Sequence, residues 1–104
     1  MRVAAIDCGT NSIRLLIADI EGDNFREVVR TMEIVRLGQG VDETGQFNPD
    51  AIARTLTAVD LFAVEIAKRG VQKIRFCATV QHAMQLIATY LSMAFANVWE
   101  SNLK

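Results

Sequence analysis

The chain has 104 residues, of which 51% are hydrophobic and 22% charged, and its formal net charge is −1. That length fits one small domain, which buries only part of its surface. The apolar content excludes a disordered chain, and the balanced charge excludes a generally basic nucleic-acid surface, so any anion site must be local.

The first apolar run, Val3-Ala4-Ala5-Ile6, reads as a strand from about Arg2 to Ile6, covered on both faces. Asp7 follows Arg2 too soon for the apolar region of a secretory signal. The chain then meets Asp7-Cys8-Gly9-Thr10-Asn11-Ser12-Ile13-Arg14, a small polar cluster between two apolar runs, as in a β-hairpin. This turn is well equipped for an anion. Gly9 lets the backbone approach a ligand, and successive N–H groups in a tight turn form an anion-binding concavity. Thr10, Asn11 and Ser12 add short hydrogen-bonding side chains, and Arg14 offers a donor fork that matches phosphate oxygens. Asp7 supplies the hard oxygen that Mg²⁺ takes. The same residues also describe a plain hairpin with polar turn residues, an exposed arginine and an aspartate capping the turn. The pattern is not a P-loop, since no G-x-x-x-x-G-K-[ST] is present.

The second strand, about Ser12 to Ile20, puts Ile13, Leu15 and Ile17 on one face and Arg14, Leu16 and Ala18 on the other. Glu21-Gly22-Asp23-Asn24 is a turn that returns the chain antiparallel. The third strand is expected from roughly Phe25 to Leu37. Alternation groups Arg26, Arg30 and Arg36 with Val28, Met32 and Ile34, and such charges suit an edge strand. Arg36 thus reads as a solvated edge charge. Gly38 to Phe47, with three glycines, reads as a connector.

Asn48-Pro49-Asp50 starts a helix, with Asn at the N-cap, Pro at the first helical position and Asp in the first turn. Ile52, Leu56, Val59, Ala63 and Ile66 mark its buried face. Lys68-Arg69 and Gly70 close it. Val71 to Ala78 is a fourth strand, and the right-handed crossover makes it parallel to the first. From Phe76 to Trp99 no Asp, Glu, Lys or Arg occurs. Polar residues interrupt the run, which is short for a ~30 Å hydrocarbon core, so a helix from about Gln81 to Trp99 packed on the sheet is expected rather than a membrane span. The breadth of its apolar face implies a further partner surface. His82 reads as a solvated or capping residue, Met84, Met93 and Trp99 as core or interface residues. Cys8 and Cys77 form no zinc spacing and read as buried thiols of a reducing cytoplasm.

Asp7-Cys8-Gly9-Thr10-Asn11-Ser12-Ile13-Arg14-Leu15 resembles the first phosphate loop of the exopolyphosphatase / guanosine-pentaphosphate phosphohydrolase family, within the superfamily of actin, hexokinase and the heat-shock chaperone ATPases. Arg36-Leu37-Gly38-Gln39-Gly40-Val41-Asp42 through Gly45 resembles the loop after the family's third strand. Ala51-Ile52-Ala53-Arg54-Thr55-Leu56 resembles its first helix, and Ile74-Arg75-Phe76-Cys77-Ala78-Thr79 its fourth strand. The likeness runs from about Val3 to Thr79 and stops where Val80-Gln81-His82 replaces the family's continuation. Residues 1–79 are therefore expected to form the N-terminal part of such a domain, and 80–104 a diverging C-terminal helix, as in a truncated or altered member.

The resemblance implies a partial α/β domain, ribonuclease-H-like or actin-like, with a mixed sheet of strand order 3-2-1-4 and helices packed on it. It implies a phosphoanhydride hydrolase acting on inorganic polyphosphate or guanosine pentaphosphate. Gly9, Thr10, Asn11, Ser12 and Arg14 would bind phosphate, Asp7 would hold Mg²⁺ or another divalent cation, and Gly38 to Phe47 would act as a flap. The family's catalytic glutamate, second phosphate loop and other metal carboxylate lie beyond the matching region. No catalytic residue is expected within this chain, which alone would be inactive. Neither nucleic acid nor membrane is expected as a partner. Self-association, or contact with the remainder of the domain, is. The alternative is a non-catalytic module that binds phosphate or nucleotide or pairs with another protein.

Overall fold

The structure is a computed structural model. It describes residues 1–36 and 49–78, positions 85, 88, 89, 92 and 93, and the strand 99–101. Three antiparallel strands come first: β1 (Arg2–Cys8), β2 (Ser12–Glu21) and β3 (Asn24–Ile34). A helix, α1 (Pro49–Lys68), and two short strands, β4 (Lys73–Ala78) and β5 (Trp99–Ser101), follow. The sheet order is β3-β2-β1-β4-β5. β4 runs parallel to β1, with Ile6 opposite Phe76, as a right-handed crossover through α1 requires. The four strands expected in the order 3-2-1-4 are in place, and β5 adds a fifth, parallel to β4.

Alternation along the strands separates two faces. Ile6 is flanked across the ladder by Leu15 and Phe76, and Cys8 by Ile13 and Ala78. These residues, with Ala4, Ile17 and Ile74, are buried in one cluster with Ala51, Ala58, Val59, Phe62 and Ile66 of α1. The other face carries Asp7, Arg14, Arg75 and Cys77, all exposed, with Val3, Ala5 and Leu16 half-buried. Of the two faces on which β1 is expected to be covered, one is buried against α1, and the other carries the half-buried Val3 and Ala5 and the exposed Asp7.

Two turns follow their residues closely. Gly22, at φ 58°, is the first central residue of the two-residue turn between Glu21 and Asn24, where a type II′ hairpin needs a positive φ. Gly70, at φ 65°, is the left-handed residue just past α1.

The buried face of α1 is turned from the expected one. Ala51, Thr55, Ala58, Val59, Phe62 and Ile66 are buried, while Leu56 is 37% exposed. Phe62 is the largest buried side chain of α1, and seating it on the sheet turns the helix away from Leu56. Thr55 is buried at no polar penalty, because its Oγ1 donates to the Ala51 carbonyl at 2.8 Å.

β3 ends at Ile34, short of the expected Leu37. It also contains a bulge: Ile17 faces Val29, whereas Ala18 faces Glu27, leaving Val28 as the extra residue. The bulge reverses the alternation, so Arg26 lies across from Asp19 rather than on the face of Arg30. Arg26 and Arg2 both pair with the Asp19 carboxylate at 2.8 Å, and Arg2 Nη1 donates to the Arg69 carbonyl at the end of α1. One carboxylate thereby ties β1, β2, β3 and the helix terminus together, and these two arginines hold it well below the usual carboxylate range.

Cys77 is exposed, contrary to the expected burial, because it alternates with the buried Phe76 and Ala78; Cys8 is buried, and both thiols are free. Positions 85, 88, 89, 92 and 93 are helical, Ala88 packs against the core, and Met93 is 81% exposed. Trp99, expected at the end of that helix, instead starts β5. The expected connector or flap, the N-cap Asn48, and His82 and Met84 lie outside the described residues.

Candidate phosphate-binding loop

The candidate loop is the connection between β1 and β2, residues 9–11, at the end of the sheet where β4 also terminates. Cys8 and Ile13 are the last paired residues below it, and the Gly9 N–H donates to the Ser12 carbonyl at 2.9 Å, closing the turn. The Asn11 carbonyl accepts from the Val35 and Arg36 N–H groups, both at 2.9 Å. The loop is therefore braced by the end of β3 as well as by its own strands. Thr10 and Asn11 are exposed. Among the described residues their backbone N–H groups have no hydrogen-bond partner. Two neighbouring donors in a closed turn are the kind of concavity that accepts an anion.

Gly9 meets no steric demand from the described fold. A Cβ added there would lie 3.8 Å from the Ser12 carbonyl oxygen, an ordinary contact, and its φ is not in the left-handed region.

Asp7 and Arg14 are direct cross-strand partners on the face of the sheet opposite α1, immediately below the loop. Both are exposed, and among the described residues neither is engaged in an ion pair. Cys77 lies across from Asp7 on its other side. Ser12 is half-buried opposite Ile34. The structure thus brings Asp7, Gly9, Thr10, Asn11, Ser12 and Arg14 to one sheet end. Cys8 points away from that group, into the core. Burial, with the nearby Asp7 charge second, pushes its thiol up to about 11, so it stays protonated at neutral pH.

Among the described residues no group of three or more His, Cys, Asp or Glu side chains is placed to hold a metal ion. Asp7 by itself suits the way Mg²⁺ is often held, by one or two carboxylates together with waters and phosphate oxygens. No described helix is long and apolar enough to cross a membrane.

Sequence reasoning missed Arg36. It lies beyond β3, with exposed side chain and φ 51°, and its N–H is one of the two on the Asn11 carbonyl. No composition or periodicity signals this, since the contact depends on where β3 stops.

Comparisons with known proteins bear on the family and the fold. The model of the Ppx/GppA phosphatase family matches residues 16–82. Exopolyphosphatase 2 of Mycobacterium tuberculosis is 55% identical over 82 residues, covering 75% of this chain and 26% of that protein. The crystal structure of the Aquifex aeolicus Ppx/GppA family member superposes with a TM-score of 0.79 at 28% identity, over 98% of this chain and 35% of that one. A non-polymerisable ParM mutant shares the fold alone, with a TM-score of 0.57 at 10% identity, over 96% of this chain and 41% of that one. The chain spans about a quarter of the curated relative and about a third of the Aquifex chain. The sheet is the opening part of an actin-like ATPase fold, and the chain belongs to the Ppx/GppA phosphatase family.

Proposed function

We propose that this chain is the phosphate-holding opening segment of a hydrolase that releases terminal phosphate from inorganic polyphosphate. The observation that carries the reading is the set of Thr10 and Asn11 N–H groups in a braced turn, which among the described residues have no hydrogen-bond partner, beside Arg14, which among them has no ion pair. The name of the M. tuberculosis relative supports polyphosphate over guanosine pentaphosphate.

Cleaving a phosphoanhydride requires the negative charge on the transferring phosphoryl group to be neutralised and its oxygens fixed in place. The turn's N–H groups and the Thr10, Asn11 and Ser12 side chains fix the oxygens. Arg14 supplies the positive charge through a two-pronged contact. Asp7, the cross-strand partner of Arg14, would hold a divalent cation. When bound, that cation would add charge neutralisation at the phosphate oxygens. The group that activates water belongs to the part of the family domain beyond the matching region, so this segment binds and orients rather than cleaves.

The test is a titration of tripolyphosphate into the chain, followed by the backbone amide resonances of residues 9–12. Arg14→Ala should weaken binding by about tenfold or more, given 1.5–3 kcal/mol for a hydrogen bond to a charged group. Asp7→Asn should leave metal-free binding in place and remove its dependence on Mg²⁺. Wild-type affinity in Arg14→Ala would return the loop to a plain hairpin turn.

A further inference from the structure

We propose that Arg36 is a second phosphate-positioning residue of this site, engaging a phosphate adjacent to the one held by the loop and Arg14. The proposal rests on the phosphate-binding reading of the loop and goes beyond it by assigning a ligand with successive phosphates. Four observations carry it.

Arg36 is the only described non-glycine residue with a positive φ, at 51°. A side chain with a Cβ is disfavoured there, and Gly or Asn is the usual occupant. Such a conformation persists where the surroundings over-determine it, and it clusters at functional sites.

The surroundings do over-determine it. The Val35 and Arg36 N–H groups converge on the Asn11 carbonyl at 2.9 Å, and the Val35 carbonyl accepts from Arg54 Nε of α1 at 3.1 Å. Val35 is itself 1% exposed, a plug in the core. The backbone from which the Arg36 side chain departs is thereby clamped between the loop and the helix.

The charge is also available. Arg2, Arg26, Arg30 and Arg69 are each in a salt bridge. Arg36 is exposed, and among the described residues it makes no ion pair or side-chain hydrogen bond.

Finally, Arg36 and Arg14 approach the loop from different strands. Arg14 belongs to β2 below Ser12, whereas Arg36 is fixed to Asn11 from the end of β3. Two separated guanidinium groups around one turn suit a linear polyanion better than a single orthophosphate.

The experiment compares orthophosphate and tripolyphosphate binding by calorimetry, alongside thermal melting, in the full chain and in Arg36→Gly, Arg36→Gln, Arg14→Ala and Arg30→Ala. Arg36→Gly should weaken tripolyphosphate binding about tenfold and leave orthophosphate binding within about twofold, without lowering the melting midpoint, because Gly takes this φ without steric cost. Arg36→Gln keeps the backbone strain and a polar hydrogen-bonding end, on a shorter side chain, but not the charge, and should lose the same tripolyphosphate affinity. Arg14→Ala should weaken both ligands, and Arg30→Ala neither.

Wild-type tripolyphosphate affinity in both Arg36 variants, with Arg14→Ala impaired, would overturn this proposal and leave the loop reading standing. Equal loss of both ligands together with a lowered midpoint in Arg36→Gly would also overturn it, as a purely structural role. If the wild-type chain bound neither ligand, or Arg14→Ala bound both normally, the loop reading and this proposal would fall together.

Discussion

Gly9 is where a single residue separates a ligand site from an ordinary turn. Its φ is unexceptional, and a Cβ there would sit 3.8 Å from the Ser12 carbonyl oxygen, the nearest atom among the described residues. Gly9→Ala should therefore fold with a stability change within about 0.5–1 kcal/mol, and in the helpful direction, since Ala restricts the unfolded chain. The same methyl group would intrude where a phosphate approaches the backbone. Tripolyphosphate binding should fall while the melting midpoint holds or rises. A variant that binds as tightly as the wild type would remove the ligand-approach argument for this glycine. The two thiols offer a second check at this scale. Cys77 is exposed and Cys8 buried, with its thiol pushed up to about 11. Native protein should react with a thiol reagent once per chain at Cys77, and denatured protein twice. Rapid native labelling of Cys8 would contradict the sheet alternation that buries it. The residues of the loop were legible in the sequence because turn chemistry is local. Arg36 was not, because its place depends on a long-range contact between the end of β3 and the Asn11 carbonyl.

Among the elements, β3 and α1 show what periodicity can and cannot carry. The existence, type and pairing of β1 to β4 and of α1 follow from apolar runs, the Gly22 and Gly70 turns and the Pro49 start. The bulge at Val28 leaves no comparable trace, yet it decides which arginine meets Asp19. That cluster sets an acid limit. The Asp19 carboxyl is held below its unfolded value of about 3.9 by hydrogen bonds from Arg2 and Arg26, with their charges adding to the effect. A lowered folded value means the stabilisation is fully present above about pH 4 and is lost as pH falls through the folded value. Thermal midpoints measured from about pH 6 down to pH 2 should drop, and Asp19→Asn should start lower and lose less over that range. Parallel curves for the two proteins would show that Asp19 does not carry the acid sensitivity. In α1, the stripe read from spacing alone chose Leu56, whereas packing chose Phe62. Phe62→Ala should cost about 3–5 kcal/mol and Leu56→Ala about 1 kcal/mol or less, as measured by denaturant unfolding. Comparable losses in the two variants would place the expected stripe back on the sheet.

At the scale of the whole molecule, α1 covers one face of the sheet. The opposite face and the strand at its edge carry Met32 at 48% and Ile34 at 47% exposure, and Phe25 is 59% exposed nearby. The outer side of α1 adds Leu61 at 54% and Val64 at 61%. Single exposed apolar side chains are ordinary, but clusters on two surfaces of one small domain favour association. The edge strand itself resists pairing, because Arg26, Glu27 and Arg30 are exposed along it and the Val28 bulge breaks its ladder. Association should therefore proceed through apolar side-chain contact rather than by strand addition. Sedimentation velocity of the chain should show the average mass rising with concentration, and a dye that reports exposed apolar surface should bind. Replacing Leu61 and Val64 together with polar residues should lower the association more than Arg30→Ala. A clean monomer at high concentration without dye binding would mean that these side chains form no sticky surface.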